Sequence, residues 1–248
     1  MIKILAVGNS FSQDACAYLH QIAASGGVES KVVNLYIGGC SLERHIKNTR
    51  AGDDEELYSY ELNGCTTEGH MVSILDGVLD DEWDFVTMQQ ASIDSGFPAT
   101  YHPYLEELSA YVKKYAPNAR QVIHETWAYE QTLRSPSSKR YGYSQKMMYA
   151  SVTAAYHEAA DFLGVDMIRS GELVQALRSD PCFDITGGGM PITRDGYHVS
   201  IPYGRYALGA LWFEKLMGGD IFKTSFIPEG ADAYVINRIK KYVKEFAK

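Results

Sequence analysis

The first dozen residues constrain the fold most. Ile2-Lys-Ile-Leu-Ala-Val7 is an apolar run with no helical period that stops at Gly8, and Asn9-Ser10-Phe11-Ser12 follows before Asp14 opens a segment with apolar residues at helical spacing. A short run rich in Ile and Val reads as a buried parallel strand, so Ser10 is expected on a strand-to-helix turn. In open α/β sheets ligands bind outside the carboxyl ends of the strands, and a hydroxyl delivered there is a candidate nucleophile. The same residues read equally as ordinary turn and cap formers, because Asn and Ser bond nearby backbone amides.

The pattern then repeats. Ala15, Tyr18, Leu19, Ile22 and Ala23 lie on one helical face and Gly26-Gly27 stops that helix; 31–37 reads as a second strand, ending in Gly38-Gly39-Cys40-Ser41. Residues 53–64 break the rhythm, because Glu-Leu-Tyr-Ser-Tyr-Glu-Leu alternates apolar and polar positions and fits either a short hairpin arm or an irregular loop. Met71, Ile74, Leu75, Val78 and Leu79 form the next helical stripe, and 83–89 a third strand closed by Gln89-Gln90-Ala91-Ser92. A helix stopped by Pro117, a fourth strand at 121–127, an exposed loop at 133–143 and a long helix at 144–163 follow. A fifth strand at 165–168 and a short helix at 171–177 lead to a glycine-rich irregular stretch at 180–201, and stretches of that length are usually functional or disordered. Helices at 203–216 and 232–246 complete the chain. Five β-α units without a repeat or low-complexity tract predict one α/β domain over 1–248, a doubly wound sheet of five parallel strands flanked by helices.

Charge removes some function classes. With 23 Lys and Arg against 31 Asp and Glu, the formal net charge of -8 would repel a phosphate backbone, so nucleic acid is not an expected partner. No stretch approaches the roughly 18 apolar residues of a membrane span, and the apolar start before Gly8 is too short for a signal-peptide core. The expectation is a soluble chain with no membrane partner, cytoplasmic as it stands and exported only if a leader has been removed. Cys16, Cys40, Cys65 and Cys182 include no C-x-x-C pair, so free thiols are expected, with Cys65 and Cys182 the first pair to test for a disulfide in an exported protein. His20, His45, His70, His102, His124 and His157 lack metal-ligand spacing. Gly187-Gly188-Gly189 follows no strand and opens no helix, as a phosphate loop would have to.

Acyl transfer needs a nucleophile, a base, a group to orient the base and donors for the oxyanion. Ser10 after the first strand, Gly39 after the second, Gln89 and Gln90 after the third, and Asp195 with His198 after the fifth should share one edge of the sheet. Each alone has a bland reading as a turn or cap residue; their joint placement favours chemistry. On these residues the chain resembles the SGNH or GDSL hydrolases, serine esterases on a three-layer flavodoxin-like fold, over nearly its whole length. The family's Gly-Asp-Ser block is matched by Gly8-Asn9-Ser10, its second-block glycine by Gly39, and its terminal Asp-x-x-His by Asp195 and His198. More narrowly it is similar to a bacterial branch with a Gly-Asn-Ser-Phe-Ser start, a Gln-Gln third block and an Asp-Gly-Tyr-His end.

The resemblance implies that Ser10 is the nucleophile, His198 the base and Asp195 its partner, with the Ser10 and Gly39 amides as oxyanion donors. Two departures stand out. Asn9 replaces the family's Asp, and the Gly-x-Asn-Asp block, whose Asn donates to the oxyanion, is replaced by Gln89-Gln90. Successive strand residues face opposite sides, so one Gln at most faces the site, with Gln89 preferred. Trp127 and Tyr197 are candidate substrate-binding residues; Trp127, Tyr129, Tyr141 and Tyr143 are either core or faces for sugar stacking.

The expected function is a serine esterase without cofactor or metal, acting on acyl groups such as acetyl carried by a carbohydrate or other small polar molecule. Two rivals remain at this level: a non-catalytic carbohydrate-binding module on the same fold, and a flavodoxin-like flavin-binding protein. Oligomeric state is not legible.

Overall fold

A computed structural model describes residues 1–248, the side chain of Thr67 excepted. The strands are β1 (Ile2–Gly8), β2 (Ser30–Tyr36), β3 (Tyr58–Leu62), β4 (Cys65–Val72), β5 (Phe85–Met88), β6 (Arg120–His124) and β7 (Asp166–Ile168). The helices are α1 (Ser10–Cys16), α2 (Leu19–Ser25), α3 (Leu42–Ala51), α4 (Ile74–Leu79), α5 (Tyr104–Tyr115), α6 (Pro136–Lys139), α7 (Gln145–Leu163), α8 (Ser170–Leu177), α9 (Tyr203–Met217) and α10 (Ala233–Phe246).

The sheet runs β4-β3-β2-β1-β5-β6-β7. The five expected strands, β2, β1, β5, β6 and β7, pair in parallel, and their 2-1-3-4-5 order is the doubly wound flavodoxin-like one. The sheet is nonetheless wider than expected, because the alternating segment at 58–62 pairs antiparallel with β2 and with β4. The hairpin arm was the correct alternative for this region. It also takes Met71 out of the helical stripe and into β4, so that α4 starts only at Ile74. The expected first helix is two, α1 and α2, because Tyr18 leaves helical geometry at φ −120°, ψ 1° without a Gly or Pro to announce it.

Register positions the site. Gly8 lies opposite Tyr36, Val7 opposite Met88, Met88 opposite Ile123, and His124 opposite Ile168. One step beyond Val7 and Met88, Gly8, Gln89 and His124 therefore form a row across three neighbouring strand ends. The sheet centre is dry: Ile4, Leu5, Ala6, Val32, Val33, Leu35, Val86 and Met88 are fully buried. Helix α9 is apolar around most of its circumference and buries Tyr206, Leu208, Leu211, Trp212 and Phe213 against the sheet side and against α1, α2, α8 and α10; a helix apolar all round belongs inside. Among the described residues no helix is long and apolar enough to cross a membrane.

Candidate active site

Ser10 opens α1 directly after β1. Asn9 caps the helix, its Oδ1 accepting from the Phe11 N–H at 3.0 Å, while Ser12 Oγ accepts from the Asn9 N–H at 3.0 Å and completes a reciprocal capping box. Gly8 is required by closeness: a Cβ there would lie 2.1 Å from Ser12 Oγ and 3.4 Å from the Gln89 side-chain carbon. Ser12 is thereby spent on structure, since its hydroxyl sits between the Asn9 carbonyl at 2.9 Å and Asn34 Oδ1 at 2.6 Å. Ser10, by contrast, is half-buried at the edge of the turn.

Behind this turn the proton arrangement follows from two backbone groups. Phe11 N–H can only donate and the Cys40 carbonyl can only accept, so Asn9 Oδ1 faces the former and Asn9 Nδ2 the latter, at 2.9 Å. Asn9 Oδ1 then accepts from Gln89 Nε2 at 2.8 Å, which leaves Gln89 Oε1 facing His124 Nδ1 at 2.5 Å. His124 must therefore carry its proton on Nδ1. Burial pushes its pKa down to about 3, so it stays neutral. One Gln89 N–H is committed to Asn9; the other is not required by this chain of contacts.

Gln90 faces elsewhere. Its Oε1 accepts from the N–H groups of Leu42 and Ala91 at 3.0 and 2.9 Å, and its Nε2 donates to Thr100 O and Oγ1 at 2.9 and 3.2 Å. This alternation of faces is what an extended strand end imposes, and it corrects the reading in which Gln90 could serve the oxyanion: its amide ties α3 to the loop before α5. Gly39 is exposed at φ +62°, with no atom within 4 Å of where a Cβ would stand, so its backbone borders open space.

Asp195 and His198 lie on a turn closed by an antiparallel bridge between Thr193 and Val199. Asp195 Oδ2 meets His198 Nδ1 at 2.6 Å, and Oδ1 accepts from the N–H groups of Tyr197 and His198 at 3.0 and 2.7 Å. Partial burial raises this carboxyl, but the hydrogen bonds from the His198 ring and the two backbone groups outweigh it and hold Asp195 below its ordinary range. His198 Nε2 is buried with no hydrogen-bond partner among the described residues. The imidazole lies 5.8 Å, centroid to centroid, from Phe11, the residue after Ser10.

Trp127 positions this turn. Its ring is fully buried and stacks on Phe11 at 4.2 Å, and its Nε1 donates to the Tyr197 carbonyl at 2.6 Å. The expectation that Trp127 binds substrate is corrected, since the ring is fully buried, stacks on Phe11 and spends its N–H on a backbone carbonyl. Glu130 adds two ties, its N–H to Gly196 O at 2.6 Å and its carboxylate to Thr193 Oγ1 at 3.3 Å. Sequence reasoning missed Glu130, His124 and Asn9's wiring role; Asn9 and His124 were signalled only by their places at the ends of β1 and β6, and Glu130, six residues beyond β6, by nothing local.

Tyr197 is 38% exposed and packs on His198 with ring centroids 4.3 Å apart. With Ser92, Ile93, Tyr129, Leu133 and Ser135 it lines a cavity of about 380 Å³. Tyr129 and Tyr141 are core, whereas Tyr143 is partly exposed. Cys16, Cys40, Cys65 and Cys182 are free thiols, and no group of three or more His, Cys, Asp or Glu is placed to hold a metal among the described residues.

Known proteins share this frame. The crystal structure of a DUF4886 family protein from Bacteroides uniformis superposes with a TM-score of 0.89 at 34% identity, covering 98% of this chain and 93% of that one. A Slackia heliotrinireducens protein described as an SGNH hydrolase matches at a TM-score of 0.58 and 24% identity over 88% of this chain and 99% of its own. An acetylxylan esterase from Geobacillus stearothermophilus matches at 0.56 and 12% identity over 89% and 95%. These last two likenesses establish the SGNH-type fold. No curated protein matches the chain. The model of the domain of unknown function DUF4886 matches residues 3–244, and the chain belongs to that family.

Proposed function

We propose that this protein is a serine hydrolase of carboxylic esters. The observation that carries the reading is His198: its Nδ1 is held by an ionised carboxylate while its Nε2 is buried, unpartnered and beside the Ser10 turn. Nε2 of His45 and of His124 is also unpartnered, but their Nδ1 atoms meet neutral groups, Tyr58 and Gln89, whereas His198 joins a free Nε2 to a carboxylate on Nδ1 and to the Ser10 turn. A general base needs that nitrogen free, and catalytic hydrogen bonds often tighten only when substrate is bound.

In the proposed reaction His198 Nε2 takes the Ser10 hydroxyl proton as Ser10 Oγ attacks the ester carbonyl carbon. The oxyanion is met by the N–H groups of Ser10 and Gly39 and the uncommitted N–H of Gln89 Nε2. His198 returns the proton to the departing alkoxide, leaving an acyl-Ser10 that water hydrolyses by the same route. Gln89 is a fitting donor because its amide is oriented before substrate arrives, which is what makes such stabilisation effective.

The proton acceptor in the first half-reaction is the alcohol oxygen, so the alcohol portion extends from the His198 side. There the cavity beside Tyr197 offers an aromatic face, two aliphatic side chains and hydroxyls from Ser92, Tyr129 and Ser135, with no charged side chain on its wall. Such a lining suits an uncharged, hydroxyl-rich ring, so the substrate class we favour is an acetylated carbohydrate. The acetylxylan esterase of similar fold lends this support. The test is hydrolysis of acetylated xylo-oligosaccharides and of ethyl acetate by wild type, Ser10→Ala and Tyr197→Ala. Ser10→Ala should abolish both activities, and Tyr197→Ala should raise KM for the sugar ester only. Turnover retained by Ser10→Ala would remove the serine mechanism, and equal KM effects on both esters would remove the carbohydrate assignment.

A further inference from the structure

We propose that Asp14 is a positioning residue that latches the His198 turn onto the helix carrying Ser10. This inference rests on the esterase reading for its kinetic part only. Asp14 stands four residues after Ser10 on α1 and is fully buried. Its carboxylate accepts from Arg194 Nη1 at 3.1 and 2.9 Å and from Arg205 Nε at 2.8 Å. Arg194 immediately precedes Asp195; its backbone N–H donates to His198 O at 2.9 Å, and its Nη1 also donates to the Val199 carbonyl. One guanidinium thus grips the closing side of the turn and the nucleophile's helix together. Arg205 extends the grip to α9.

A buried carboxylate shared by two arginines is an expensive way to hold a loop if stability alone were at stake, since apolar packing often serves as well. What an ion pair adds is fixed geometry, through charge-assisted bonds of restricted direction. Near the reacting atoms geometry matters steeply: a misplacement of about 1 Å can cost on the order of 10²-fold in rate.

The protein contains its own control. Asp180 is equally buried and is held by Arg238 Nε at 3.0 and 2.9 Å and Nη2 at 2.6 Å, an ion pair between the start of the 180–201 stretch and α10. Asp14→Asn and Asp180→Asn should lower Tm comparably, yet only Asp14→Asn should lower kcat, by roughly 10- to 100-fold with KM changed less than twofold. Only Asp14→Asn should also speed amide hydrogen exchange at Tyr197 and His198. Arg194→Lys should reproduce both effects, and the double variant should be no worse than the more impaired single one, because both changes open the same latch. Unchanged kcat in Asp14→Asn, a parallel kcat loss in Asp180→Asn, or unaltered exchange at 197–198 would overturn the proposal. If the wild type shows no Ser10-dependent turnover, the esterase reading fails by itself, and the exchange comparison still decides whether the latch exists.

Discussion

The turn after β1 and the turn at 193–199 carry the two halves of the proposed chemistry, and they are built in opposite ways. The first closes on itself within a few residues, Asn9 and Ser12 capping each other and Gly8 leaving room for Ser12, and its distant ties to Asn34, Cys40 and Gln89 attach to that finished cap. The second is fixed from a distance, by Trp127 across 70 residues of sequence and by Asp14 across 180. A nucleophile on a self-capped turn is positioned by local backbone chemistry, whereas a base on an irregular loop is positioned only once the whole sheet edge has assembled. Damage to the first region should therefore act through the donors around Ser10, and damage to the second through the orientation of His198.

Apart from the loss of Ser10 itself, the largest effect is expected in the second region. Asp195→Asn keeps the turn's two backbone hydrogen bonds but offers His198 Nδ1 an amide in place of a carboxylate, favouring the wrong tautomer; the comparable change in a known triad lowers kcat by about 10⁴-fold. Steady-state kinetics with an unaltered Tm would bear this out, and a loss below tenfold would mean that His198 is not oriented by Asp195. Next comes the first region. Gln89→Ala removes a prealigned donor and should lower kcat by about 10²- to 10³-fold, while Gln90→Ala, which cuts the ties to Leu42 and Thr100, should lower Tm more than kcat. The reverse pattern would exchange their roles.

Asn9→Asp sharpens the contrast further. It keeps the acceptor for Phe11 N–H and Gln89 Nε2 but sets an oxygen against the Cys40 carbonyl where Asn9 now donates, and an unsatisfied buried acceptor costs about 1–3 kcal/mol. Denaturant titration should show that loss; none would mean that the Asn9–Cys40 contact is unimportant.

The smallest effect lies outside both turns. Glu125, buried one residue past β6, accepts from Thr153 Oγ1 and the Glu172 N–H at 3.0 Å each, yet burial outweighs these bonds and raises its pKa to about 8. A carboxyl that holds its proton in the folded state above its ordinary value of 4.5 makes the native state bind more protons than the unfolded one. Stability should then fall as pH rises from about 4.5 to 8 and level off above that window. Glu125→Gln should flatten this slope in thermal melts, while kcat measured at one pH stays within a few-fold of wild type. An unchanged slope would show that Glu125 is ionised in the native protein.

The same contrast explains what the sequence revealed. The strand-end positions of Ser10, Gly39 and Gln89 were legible because an apolar run and the glycine or polar cluster that stops it are local signals. Asp195 and His198 were legible as a motif, but nothing nearby in sequence told where their turn would dock. The hairpin at 58–72 does carry a local signal, Asn63-Gly64 at its tip with both residues at positive φ, but the alternation around it also fits a loop, and its pairing with β2 is a tertiary choice. Trp127 was left between core and binding face because the burial of an aromatic three residues past β6 depends on Phe11, which follows β1 two strands away in the sheet. Gln90 could be separated from Gln89 only by strand alternation, and that alternation holds in the fold.

Labelling with a fluorophosphonate probe, read by intact mass and peptide mapping, tests the central claim most directly, because the probe requires an activated serine and no knowledge of the natural substrate. The account predicts a single adduct on Ser10, absent in Ser10→Ala and formed far more slowly in His198→Ala. An unlabelled wild-type protein, or an adduct on Ser12 or another serine with Ser10 untouched, would contradict it.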